Sequence, residues 1–179
     1  IQQDHEHLAV KAELTREISS QRVCTGCMSN MLSVTWAMIH DIDAAHGTDY
    51  LSRYRDFIIR LHQSGQVIAW GMMDPKGDRS LPPSQQPKPT DLRIVARRSD
   101  GIVVSGAKLH TTLGSGTHQV VAVPCRALGK ADRDFAVAFA LPVDTKGIRM
   151  IARPSPGPSR EVSMESPLSS RFLGVEALT

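Results

Sequence analysis

The chain has 179 residues, 41% hydrophobic and 22% charged, with a formal net charge of +3, enough for one domain or two small ones around a real core. Lys and Arg occur as singles or pairs such as Arg97–Arg98, and aromatics make up 4%, so the charged stacking platform that nucleic-acid binding requires is lacking. No apolar run approaches a membrane span, whereas a mild basic excess suits an anionic ligand such as a nucleotide-bearing cofactor or a CoA ester.

In chain order, the first third reads as helix. Residues 4–20 carry Leu8, Leu14 and Ile18 among charges at roughly helical spacing. In residues 27–46, Met28, Met31, Leu32, Thr35, Ile39 and Ile42 recur at three and four and form one apolar stripe. Gly47 follows as a helix-terminating residue, and Thr48 or Asp49 is the expected N-cap of the next helix. That helix, over 49–64, places Tyr50, Tyr54, Phe57, Ile58 and Leu61 on one face and ends at Gly65.

The period then changes. Residues 67–73 form a short apolar run suited to a buried strand, and the polar, Pro-rich stretch from Asp74 to Asp91 reads as a long surface loop. A loop of that length inside a compact domain is uncommon and often functional. Strand-length segments rich in Val, Ile and Ala follow at 92–98, 102–109, 118–124, 135–142 and 148–153, with Ser99-Asp100-Gly101 as a hairpin turn between the first two. A Pro- and Ser-rich connection occupies 153–171. Helices first and strands afterwards predict an α+β fold: a helical segment, then a mostly antiparallel β domain. The division expected is 1–65 for the partial helical domain, 66–153 for the central β domain, and 154–179 for a linker and the start of a C-terminal domain.

The N-terminus, Ile1-Gln2-Gln3-Asp4-His5, lacks an initiator Met and a signal-peptide pattern. Three cysteines do not make a secreted disulfide framework, so a cytoplasmic location is expected. Both ends read as cuts, which makes the chain part of a longer protein.

Four features carry candidate chemistry. Asp74-Pro75-Lys76-Gly77-Asp78-Arg79-Ser80 brings two carboxylates, two cations and a glycine into one turn. Such a loop either aims N–H groups and charges at an anionic or heteroaromatic ligand or is a solvated turn whose charges pair with one another. Gly106-Ala107-Lys108-Leu109-His110-Thr111-Thr112 ends a strand, where His110 and the threonines either line a pocket or are satisfied structurally. Cys24-Thr25-Gly26-Cys27 either holds a metal or redox pair or packs a helix start. Cys125 reads as a packed thiol.

Those residues carry a resemblance. Asp74 to Ser80, Asp100 to Lys108 and His110-Thr111-Thr112, with Ile42-Asp43 and Gly47 to Tyr50 upstream and Phe172 to Leu178 downstream, resemble the 4-hydroxyphenylacetate 3-hydroxylase / 4-hydroxybutyryl-CoA dehydratase family in order and spacing. The resemblance implies an acyl-CoA-dehydrogenase-like fold whose C-terminal helical bundle is absent here. It implies FAD lined by Gly71, Met72, Met73, Asp74, Pro75, Lys76, Gly77 and Asp78, and by His110, Thr111 and Thr112. The hydroxylase branch carries an Asn-His pair followed by Pro-Pro, where this chain reads Ala69-Trp70 and Pro75-Lys76. The dehydratase branch is similar to this chain in Pro-Lys-Gly-Asp-Arg and in His-x-Thr after Gly-Ala-Lys. Membership of that branch implies radical-type dehydration and isomerisation of a hydroxyacyl-CoA-like substrate. The alternatives are a reduced-flavin aromatic monooxygenase acting on a phenol and a non-catalytic truncated module.

The dehydratase branch also implies a [4Fe–4S] cluster, with Cys24 and Cys27 near the positions of two ligands, although the family spacing is Cys-x-x-x-Cys. By the same resemblance Thr112 hydrogen-bonds the isoalloxazine. Glu176 stands at the entrance to the C-terminal domain as a group that moves or positions a proton, or as a plain helix-start carboxylate. The full-length protein is expected to be a homo-oligomer, a tetramer as in the family.

Overall fold

The computed structural model describes residues 4–20, 26–112, 114–152 and 176–178. Among these the α+β architecture expected from the sequence is present, in two compact units, Ile1–Gln66 and Val67–Thr179.

The first unit is three helices: α1 (His5–Ser20), α2 (Gly26–His46) and α3 (Tyr50–Ser64). Trp36 of α2 meets Tyr54 of α3 with ring centroids 6.3 Å apart, and Tyr54 stacks on Phe57 at 6.1 Å. The Tyr54 hydroxyl donates to the Leu32 carbonyl at 3.0 Å, and burial pushes its pKa up to about 12. Of the expected α3 face, Leu61 is buried and Tyr54, Phe57 and Ile58 are half-buried, while Tyr50 remains 49% exposed.

Both predicted helix ends involve glycines in the left-handed region, Gly47 at φ 63° and Gly65 at φ 64°. The N-cap differs from expectation. Asp49 makes no side-chain cap bond. Asp43, seven residues before Tyr50, accepts instead from the Tyr50 amide at 3.0 Å, the Leu51 amide at 2.7 Å and the Thr48 hydroxyl. Burial acts against the charged form, but these three donors outweigh it and hold the Asp43 carboxyl below its ordinary value. No helix among the described residues is long and apolar enough to cross a membrane.

The second unit contains three small sheets. Strand β1 (Ile68–Gly71) runs parallel to β5 (Gln119–Ala122), which pairs antiparallel with β6 (Phe139–Pro142). Ile68, Ala69, Val121 and Ala122 are buried along this sheet and, with Val137, form the apolar core of the unit. The β1 entry is latched to β5 because the Val67 amide donates to His118 Nδ1 at 3.1 Å while the His118 amide donates to the Val67 carbonyl at 2.9 Å. Strands β2 (Arg93–Arg98) and β3 (Gly101–Ser105) form the expected hairpin, with Arg98 opposite Gly101 across the Ser99–Asp100 turn. The third sheet has order β4 (Thr111–Thr112), β8 (Glu176–Leu178), β7 (Ile151–Ala152), antiparallel throughout. Glu176 therefore belongs to a strand of the β unit, and the helix-start reading of this residue gives way.

The expected surface loop from Asp74 to Asp91 is present, mostly exposed, and pinned at Pro83 and Ser84. Pro83 is buried in a short 3₁₀ turn, Pro83–Gln85. The Ser84 amide donates to Asp132 Oδ1 at 3.0 Å, and the Gly129 amide donates to Asp132 Oδ2 at 2.9 Å. The Ser84 hydroxyl, then the Gly129 and Ser84 amides, hold the Asp132 carboxyl below its ordinary value of 3.8, with the charge of Arg126 adding to them. A depressed carboxyl contributes stability that is complete above the unfolded value and disappears as pH falls through the folded one. Asp132→Asn should therefore be less stable than wild type at pH 6, the gap closing progressively below pH 3.8. Urea unfolding midpoints across that range check it, and a gap independent of pH would refute the assignment.

Candidate functional site

Strand β1 delivers Gly71 to the rim of its sheet, and the chain turns outward through Met72, Met73 and Asp74. Lys108 holds this turn. Its side chain is 8% exposed, and Nζ donates to Asp74 Oδ1 at 2.5 Å, to the Met72 carbonyl at 3.1 Å and to the Val123 carbonyl at 2.9 Å. An ammonium has three protons to place, and burial is tolerable only when all are placed and the charge is balanced. The three acceptors come from the β1 exit and from the segment after β5, so one side chain sews the two together. Gly71 leaves room for it: a Cβ there would stand 3.3 Å from Lys108 Cβ and 3.5 Å from Val120 Cγ1.

The other oxygen of Asp74 accepts from the Cys125 thiol, 3.3 Å from Sγ to Oδ2. Cys125 is exposed, which corrects its reading as a packed thiol. Asp78 is also engaged internally, accepting at Oδ1 from the Ser80 amide at 2.9 Å and the Ser80 hydroxyl at 2.6 Å. These bonds, hydroxyl first, keep its carboxyl below the ordinary value. Gln86 closes the loop by accepting from the Asp78 amide at 3.0 Å and donating to the Asp78 and Leu81 carbonyls at 2.7 and 3.0 Å. A Cβ at Gly77 would fall 2.2 Å from Gln86 Oε1. Both carboxylates of the loop thus serve its shape. The groups presented outward are Met72 and Met73, 38% and 40% exposed, with Lys76, Gly77 and Arg79 exposed beyond half-buried Pro75.

The second predicted stretch meets the first. The Leu109 amide donates to the Met73 carbonyl at 2.7 Å, forming an antiparallel bridge between the two segments. His110 then takes φ 55°, a left-handed conformation that non-glycine residues rarely adopt, and the Thr112 amide donates back to the His110 carbonyl at 2.9 Å. This tight reversal leaves Thr111 fully buried and Thr112 exposed at the start of the third sheet. Thr112 is the register partner of Glu176, so the two residues singled out for catalysis, far apart in sequence, lie opposite one another in a ladder. The side chain of Glu176 lies outside the described residues, as do Cys24 and the side chain of Cys27, whose backbone is in α2.

Met72 and Met73 are exposed at the β1 exit, β4 lies against β1, and Thr112 is exposed on β4. Polarisable thioethers adapt to flat heteroaromatic faces, and a few placed polar groups orient such a ring. Trp70 Nε1, in β1, is buried without a partner among the described residues. These features fit the isoalloxazine of a flavin.

Sequence reading missed Lys108 and Gln86 as organisers of the site. A lysine between Ala107 and Leu109 at a strand end was the available signal for Lys108. Gln86 had none, because its role depends on how the loop folds back.

A three-helix unit followed by a β unit whose rim gathers these two stretches is an α+β arrangement. The chain belongs to the family described as 4-hydroxyphenylacetate 3-hydroxylase N terminal, whose model matches residues 1–179. It is 38% identical over 129 residues to the 4-hydroxybutyryl-CoA dehydratase/vinylacetyl-CoA-Δ-isomerase of Clostridium aminobutyricum, covering 72% of this chain and 26% of that protein. An oxygen-tolerant archaeal 4-hydroxybutyryl-CoA dehydratase from N. maritimus superposes with a TM-score of 0.83 at 33% identity, over 97% of this chain and 36% of that one. The oxygenase component (HpaB) of 4-hydroxyphenylacetate 3-monooxygenase, solved with FAD, superposes with a TM-score of 0.60 at 26% identity, over 80% of this chain and 30% of that one. The chain thus spans between a quarter and about a third of these relatives' lengths.

Proposed function

We propose that this chain is the FAD-holding N-terminal part of an enzyme resembling 4-hydroxybutyryl-CoA dehydratase, acting by radical-type dehydration and isomerisation on a hydroxyacyl-CoA-like substrate. The observation that carries this reading is the meeting of residues 71–78 with 108–112 around the Lys108 clamp. The superposition on the archaeal dehydratase, at 33% identity and a TM-score of 0.83, against 26% and 0.60 for the FAD-bound oxygenase, supports the branch.

Gly71 to Asp78 and His110 to Thr112 form the flavin-facing wall. Met72 and Met73 pack the ring and Thr112 orients it by a hydrogen bond. Bound FAD supplies one- and two-electron redox chemistry. Glu176, the register partner of Thr112, is assigned to hold or move a proton. Among the described residues no group of three or more His, Cys, Asp or Glu could hold a metal ion. Cys24 and Cys27 are this chain's candidates for half of a [4Fe–4S] ligand set. The substrate pocket and the contacts of a homo-tetramer are assigned to the remainder of the protein.

The test is an absorbance spectrum with iron and sulfide analysis on anaerobically purified full-length protein. Flavin bands with about four irons per chain support the dehydratase-like reading. Flavin without iron, with reductase-dependent oxygen consumption on a phenol, overturns it in favour of the monooxygenase. Neither chromophore overturns both and leaves a non-catalytic module.

A further inference from the structure

Beneath the clamp lies a small pocket that none of the preceding chemistry uses. It is lined by Asp74, Asp91, Lys108 and Arg126, with Phe135 and Val137 among its apolar walls. Asp91 is 3% exposed, and its Oδ2 is buried without a hydrogen-bond partner among the described residues. Its backbone is fixed by a parallel bridge to Ala107, next to Lys108. A carboxyl with one unspent oxygen, held beside the single ammonium that organises a loop, has a physical consequence: its charge state alters how that ammonium is shared.

We propose that Asp91 is a positioning residue of the flavin wall, acting through Lys108 on the turn Met72–Asp74. With Asp91 neutral, Lys108 and Asp74 form a balanced pair. With Asp91 ionised, two carboxylates divide one ammonium, and Arg126 is the remaining cation on the pocket wall. Asp74 comes from the β1 exit, Lys108 from the segment before β4 and Arg126 from the segment after β5, and these are the charged groups that face Asp91 in the pocket. Burial, then the charge of Asp74, raises the Asp91 carboxyl above its ordinary value of 3.8, while Arg126 and Lys108 act in the opposite direction. The change of state thus falls above pH 3.8. The proposal rests on the flavin reading for its function but not for its detection.

Cys125 provides a probe independent of any cofactor, because its thiol is exposed and bonded to Asp74. The experiment follows the reaction of the Cys125 thiol in full-length protein with 4,4′-dithiodipyridine, which reacts in acid, between pH 4 and 7, with the modified peptide resolved by mass spectrometry. Flavin absorbance is recorded alongside. Dividing each rate by that of glutathione with the same reagent at the same pH removes the ordinary thiol and reagent dependence on pH, and wild type is then expected to show a step of about threefold, the low end of coupling between neighbouring charged groups. Asp91→Asn, which mimics the neutral form, should remove the step and keep the low-pH ratio throughout. Arg126→Gln, which removes a charge favouring ionisation, should move the step to higher pH, and it tests the assignment even if the Asp91 variant folds poorly. A step unchanged in both variants, or no step in wild type, overturns the proposal. A step that responds in both variants while the protein carries no flavin upholds the Asp91–Lys108 coupling and overturns the flavin reading alone.

Discussion

Lys108→Met should destabilise the protein by about 3–5 kcal/mol, because it leaves a buried carboxylate without its counter-charge, and should sharply lower the flavin retained by the full-length protein. Methionine matches the length and apolar stem of lysine, so packing around Gly71 and Val120 is largely kept and the loss isolates the ammonium. What remains is Asp74, with a side chain 9% exposed, and the Met72 and Val123 carbonyls, which lose the donor they now share. Adding Asp74→Asn should recover part of the loss, since the two positions are directly coupled and their effects are not additive. Urea unfolding midpoints and the flavin-to-protein ratio check both parts. A loss below about 1 kcal/mol, the level of an exposed ion pair, would mean that the clamp is ornamental.

Gly106→Ala should be about as damaging, costing roughly 3 kcal/mol or more, with local strain and a backbone clash combining. Gly106 has φ 140°, which side chains rarely adopt. A Cβ there would lie 2.5 Å from the Asp91 carbonyl oxygen and from Leu92 Cα, and 2.6 Å from Leu92 N. These are backbone atoms with no rotamer to yield, unlike the flexible Gln86 end that faces Gly77. The two segments press together because the Ala107 amide donates to the Thr90 carbonyl at 2.9 Å. Thermal unfolding distinguishes this site from Gly101→Ala, where a Cβ meets nothing within 4 Å and the cost is that of φ alone. Equal losses at the two sites would refute the contact argument.

Much of the fold was legible because its signals are local. The three and four spacing of apolar residues places all three helices within about two residues of their ends, and glycine at 47 and 65 marks the stops. Ser99-Asp100-Gly101 announces its hairpin by composition alone. The misreadings share a cause, in that each depends on partners the sequence does not place side by side. Asp43 caps α3 across an intervening turn, so neither residue adjacent to the helix start is the cap. The strand expected over 135–142 begins only at Phe139, because residues 130–135 form a 3₁₀ segment in which Asp132 spends its carboxylate on Gly129 and Ser84. Within the candidate site, both flavin stretches were legible as motifs, but not the division of labour inside them. Asp74 and Asp78 looked like groups aimed at a ligand and are occupied by Lys108, Cys125 and Ser80, while the exposed methionines were named through the family resemblance alone.

The third sheet has its latest segment in the middle. Strand β8 pairs on one side with Thr111–Thr112 and on the other with Ile151–Ala152, and each of those partners is two residues long. Neither has the other to lean on until Glu176–Leu178 arrives between them. During synthesis this ladder therefore closes after both flanking strands have left the ribosome, and the loop closure spanning Thr112 to Glu176 makes it a slow, high-contact-order step. The helical unit and the β1–β5–β6 sheet can settle beforehand, so the reversal at His110 is the part of the molecule that waits longest for its final neighbour.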